Sequence, residues 1–180
     1  MKNSSNTSLK YRDEADRAYG VSGMTIAVVV CNAEDLITGI NIDAEDPSDM
    51  MELSDNYYMA GNRANSVSAA WQQTLSALRA TLIMATGNVM ARCLVGQHTP
   101  VSAEAREILH EAATADAVAT CQLDNDEIDE LFSSTYSYLE RVFSNRSIVQ
   151  ITDDFAHLIR RQRRLSQSDI MQAMRPLARF

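Results

Sequence analysis

Apolar positions recur at intervals of three and four along most of this chain. The longest such run covers residues 66–97. There Trp71, Leu75, Leu78, Leu82, Ala85, Val89 and Cys93 share one stripe when successive residues turn by about 100°. A helix of that span is roughly 48 Å long. Its opposite side carries Gln73, Ala77, Ala80, Met84, Gly87 and Ala91, and its only charged residues are Arg79 and Arg92. A helix that is apolar all round is buried on more than one side. The small side chains also admit a second helix at close range. Ala77, Ala80, Met84, Gly87 and Ala91 are therefore predicted to form a helix–helix interface, at the centre of a single-chain bundle or across a subunit boundary. A membrane span fits less well, because Arg79, Thr81, Thr86, Asn88 and Arg92 interrupt the run.

Shorter helical faces follow. Ala105, Ile108, Leu109, Ala112, Ala115 and Ala119 mark an Ala-rich one. Asp124 with Glu127 reads as a capping pair ahead of Ile128, Leu131, Phe132, Thr135, Leu139, Val142 and Phe143. Ile148, Ile151, Phe155, Leu158 and Ile159 form the next face, and Ser166 with Asp169 caps the last, which carries Ile170, Met171, Met174 and Leu177.

The N-terminal third is less regular. Leu9 to Tyr19 predicts a short, charged, superficial helix stopped at Gly20. Residues 24–42 read as helix through Ile26, Val29, Val30, Ala33, Ile37 and Ile40. A hairpin turning at Asn32-Ala33-Glu34-Asp35 is the alternative, and helix is preferred because a lone hairpin is marginal. Residues 43–65 form an acidic connector whose Met50, Met51, Tyr57, Tyr58 and Met59 predict a lid on the core or a contact surface.

The whole reads as an all-α fold: a multihelical bundle around one long central helix, residues 66–97, with short or irregular N-terminal elements. It is predicted to be one domain over residues 9–180, behind a disordered polar tail of residues 1–8. Scarce Gly (6) and Pro (3) disfavour a turn-rich all-β fold. The three cysteines are scattered, without a Cys-x-x-Cys pair, and residues 1–8 have no apolar core resembling a secretory signal. The cytoplasm is the expected compartment.

Charge is polarised. Residues 141–180 carry eight Arg against three Asp, a balance of +5. The net charge of −8 thus leaves −13 for residues 1–140. Arg160, Arg161, Arg163 and Arg164 are the sharpest feature, a contact for nucleic acid or for an acidic partner, including the chain's own acidic half. The segment from Leu158 to Ile170, a basic helix end, then Leu165-Ser166-Gln167, then a capped helix, resembles the opening of a repressor-type helix-turn-helix. That resemblance implies phosphate contacts by the arginines.

Glu107-x-x-His110 and Asp154-x-x-His157 have the spacing of a carboxylate-bridged dimetal bundle. The helical wheel turns both histidines away from their apolar faces, so no metal or cofactor is predicted. His98 reads as a cation near the C-terminal end of the central helix. Nucleophile-elbow, dinucleotide and Walker-type motifs are absent from the sequence. The expectation is a non-enzymatic helical interaction protein forming a homodimer. The alternatives are a nucleic-acid-associated protein and, third, an enzyme with an active site that follows no motif.

Overall fold

The computed structural model describes residues 9–62 and 64–179. The expectation of a disordered tail over residues 1–8 lies outside them. The fold is mostly helical, with one long central helix and a small three-stranded sheet.

Helix α1, Glu14–Val30, begins at Asp13, whose side chain accepts from the Asp16 amide. It runs straight through Gly20 and Gly23, which corrects the predicted stop at Gly20. Nor is it superficial: Asp16, Ala18, Val21, Ile26 and Val28 are buried. Glycine serves here as a close-packing residue. A Cβ at Gly23 would lie 2.1 Å from the Gly87 carbonyl oxygen and 2.4 Å from Ala91 Cβ, so backbone meets backbone.

The preference for helix over residues 24–42 holds only as far as Val30. A turn then leads into strand β1, Ile37–Asn41, flanked by β2, Met51–Leu53, and β3, Arg164–Ser166, both antiparallel to it. The alternative hairpin would have paired Ile37–Asn41 with residues 26–31, whereas its partners lie onward in the chain, in Met51–Leu53 and Arg164–Ser166. Ile37, Ile40, Ile42, Met51 and Leu165 are buried, so the sheet closes one side of the core. Met50 and Met51 belong to that core, while Tyr58 and Met59 stay exposed.

The central helix α3, Val67–Met90, is capped by Ser66 and continues as a π-helical stretch, Ala91–Gly96. Its environment changes along its length. From Ala80 onward Leu82, Met84, Thr86, Gly87, Val89, Met90, Ala91, Arg92 and Val95 are all buried. Helix α1 covers one side; α4, Ala103–Cys121, and α5, Asn125–Phe143, cover another; α6, Arg146–Gln162, packs on α1 and the π-helical end. Over residues 67–79 only Leu75 and Leu78 are buried. The expectation of a rod covered on nearly every side therefore fails for this half. Leu75 and Leu78 join Ala117, Cys121 and Ile128 in a small second core between α3, α4 and α5. The last helix, α7, Gln167–Met174, starts at a Ser166–Asp169 capping box and buries Ile170 and Met174.

Candidate functional site

Three regions bear on function. The first is buried. Arg92 sits at the α-to-π transition of the central helix with its side chain 5% exposed, facing Asp16, whose side chain is 1% exposed. One terminal nitrogen, Nη2, donates to Asp16 Oδ2 at 2.8 Å and to the Lys10 carbonyl at 2.7 Å. The other, Nη1, donates to the Leu9 carbonyl at 2.9 Å. The guanidinium lies over the Tyr11 ring, 4.8 Å from its centroid, and the Tyr11 hydroxyl accepts from Asn88 Nδ2. Residues 9–12 are thus strapped across the end of α3. Burial pushes the Asp16 carboxyl upward, but hydrogen bonds from Arg92 and Arg12 outweigh it and hold the group below its ordinary value. Burial also raises the Tyr11 hydroxyl and the Cys93 thiol. Sequence reading marked Arg92 as one of two charges in the apolar helix but missed this pair, whose members lie 76 residues apart. The available signal was a lone Arg deep in an apolar helix, which demands a counter-ion.

The second region is the uncovered half of α3. Between residues 67 and 78 there is no charged side chain. Val67 is 88% exposed and Trp71 42% exposed. A short helix α2, Asp55–Tyr58, and its following turn run along one flank. The Tyr57 and Thr81 hydroxyls are 2.7 Å apart, and the Gly61 amide donates to Gln73 Oε1 at 3.0 Å. Tyr58, 59% exposed, and Met59 add apolar surface there. Val118, near the end of α4 on the other flank, is exposed as well. Trp71 shares the stripe of Leu75 and Leu78 but is exposed, whereas those two are covered by Ala117, Cys121 and Ile128. Of the residues expected to form a helix–helix interface, Ala80, Met84, Gly87 and Ala91 are buried, with Gly87 and Ala91 against α1 of the same chain; Ala77 is half-buried.

The third is the arginine cluster. Arg163 pairs with Asp43 and Glu14, and Arg160 reaches Glu14 at 3.7 Å. The Arg163 hydrogen bond holds the Asp43 carboxyl below its ordinary range. Arg161 and Arg164 are exposed, with no ion-pair partner among the described residues. The connection that resembles a helix-turn-helix is the strand β3, hydrogen-bonded to β1, so sheet pairing fixes α6 against α7.

His110 Nε2 lies 2.7 Å from Asp129 Oδ1, with its ring edge-on to Phe132, and His157 lies 3.8 Å from Asp153. No group of three or more His, Cys, Asp or Glu side chains stands together among the described residues. His98 is exposed with φ +54°, past the end of the π-helical stretch. A cleft of about 1040 Å³ lies between the ends of α1, α5 and α7. Its titratable lining groups are Glu34, Tyr138, Arg141 and Arg175, which supply no nucleophile–base pair. Val67–Gly96 is long and apolar enough to cross a membrane, yet 61% of its most apolar window is buried inside the protein.

No family model, no curated protein and no solved structure matches this chain.

Proposed function

We propose that this protein is a non-catalytic helical interaction module that pairs with a second copy of itself. The uncovered half of α3, flanked by Tyr58, Met59 and Val118, is the pairing surface. The observation that carries this reading is an exposed helix stretch with Val67 and Trp71 outward and no charge from residue 67 to residue 78, the exposed Arg79 standing at its inner end. A helix whose resting place is water carries Glu and Lys there. Two copies at −8 each repel, and an uncharged face is where they approach at least cost. Such a face also suits a two-fold contact, in which the same residues meet their own copies.

A stable pair of this kind buries about 800 Å² per partner. Sedimentation velocity at micromolar concentration should show a dimer. Trp71→Glu sets two carboxylates into the contact and should give a monomer with an unchanged circular dichroism spectrum. A clean monomer of the unmodified protein would sink the reading.

A second reading, nucleic-acid association, rests on the exposure of Arg161 and Arg164. It requires salt-sensitive retention on double-stranded DNA that is lost when both become Ala. Absence of retention at low salt rules it out.

A further inference from the structure

A pocket of about 270 Å³ lies where residues 9–12, the π-helical end of α3 and the start of α4 meet. Lys10, Arg12 and Arg92 line it. So do Gln97, Thr99 and Ser102. We propose that this pocket binds a phosphate group, free or as the monoester of a small molecule.

Charge is the first support. The chain is strongly acidic, yet three cations line this pocket and, among the described residues, the only carboxylate paired with them is Asp16. The surplus of two positive charges matches a dianion. Glu104, in the first turn of α4, is exposed and does not line the pocket.

The helix terminus is the second. Ser102 and Ala105, the cap and first turn of the 19-residue helix α4, form one wall. The Ser102 hydroxyl takes the Ala105 amide and the Ser102 carbonyl takes the Arg106 amide; the remaining amides of that turn, at Ala103 and Glu104, do not line the pocket, so the terminus contributes its dipole rather than amide contacts.

Arg92 is the third and independent support. Four of its hydrogen bonds go to Leu9, Lys10, Asn88 and Asp16, yet its Nε–H is buried without an acceptor among the described residues. That Nε is closed off from the pocket as well, so toward an oxyanion Arg92 acts as a fixed positive charge in the pocket wall. The π-helical stretch that presents Arg92 is a distortion often found at ligand sites. Three cations around a dianion favour phosphate over a single carboxylate.

Calorimetric titration of the full chain tests this at constant ionic strength, with inorganic phosphate in one arm and glycerol phosphate in the other. Saturable one-site binding is expected in at least one arm; a tighter monoester arm assigns the ligand to an ester, equal or weaker to free phosphate. Joint replacement Lys10→Ala and Arg12→Ala should weaken binding about tenfold or more. Lys10→Ala alone leaves the Asp16–Arg92 pair intact and should weaken it too, whether or not the double variant folds. Absence of saturable binding in both arms, or binding undiminished by Lys10→Ala, overturns the proposal. The pocket shares no lining residue with the pairing surface, so the two tests are independent.

Discussion

Asp16 and Arg92 have each given up nearly all contact with water. Removing one partner of a buried pair strands the other's charge and costs about 3–5 kcal/mol. Asp16→Asn should therefore lower the unfolding free energy by about that amount, measured by urea titration at neutral pH. Its pH dependence has a definite sign. The folded Asp16 carboxyl titrates below its unfolded value, so its contribution is complete above about pH 4 and is lost as pH falls through the lower folded value. The stability gap between wild type and Asp16→Asn should close as the medium is acidified below about pH 4. A gap constant down to acid unfolding contradicts this account of the pair. Arg92 itself was legible as an oddity in an apolar run. Its strap of residues 9–12 was not, because nothing in a charged N-terminal segment says that its carbonyls will receive a guanidinium.

Among the elements, α1 was the hardest to foresee. Glycine in a helix interior reads as a stop when local propensity alone is weighed. At Gly20 and Gly23 tertiary approach overrides it: a Cβ at Gly20 would meet the Tyr11 ring at 2.6 Å, and one at Gly23 the α3 backbone at 2.1 Å. Gly23→Ala should thus destabilise by about 1–3 kcal/mol despite the better helix propensity of Ala, because the obstructing atom is a backbone oxygen that cannot swing away. A melting temperature equal to or above wild type would contradict the close packing of α1 on α3. Gly87 and Ala91 lie against α1 of the same chain, whereas sequence periodicity does not say which chain supplies a close helix neighbour. The strands were illegible for a similar reason. Ile37–Asn41 pairs with Arg164–Ser166, and such distant pairing leaves no local pattern beyond a short apolar alternation. The α3, α5 and α7 starts, by contrast, carry their Ser or Asp caps in sequence and begin where those caps stand.

At the scale of the whole molecule, the charge polarity of the sequence is partly spent inside the chain. Arg160 and Arg163 of the basic C-terminal segment meet Glu14 and Asp43 of the acidic half. What remains outward is Arg161 and Arg164, and separately the α3 surface over residues 67–78, which carries no charge. The bundle and its central helix were legible because 3.6-residue periodicity reports burial. The point along α3 where burial ceases was not, because the apolar stripe continues to the exposed Trp71, beyond Leu75 and Leu78. That mismatch between stripe and cover is the reason to look for a second copy.

Trp71 is the only tryptophan and lies on the uncovered face, which makes its fluorescence a direct reporter. Raising protein concentration through the pairing range should move its emission to shorter wavelength as water leaves the indole, in step with the appearance of dimer in sedimentation. Emission that stays at one wavelength across that range, with a monomer throughout, would contradict the self-pairing account.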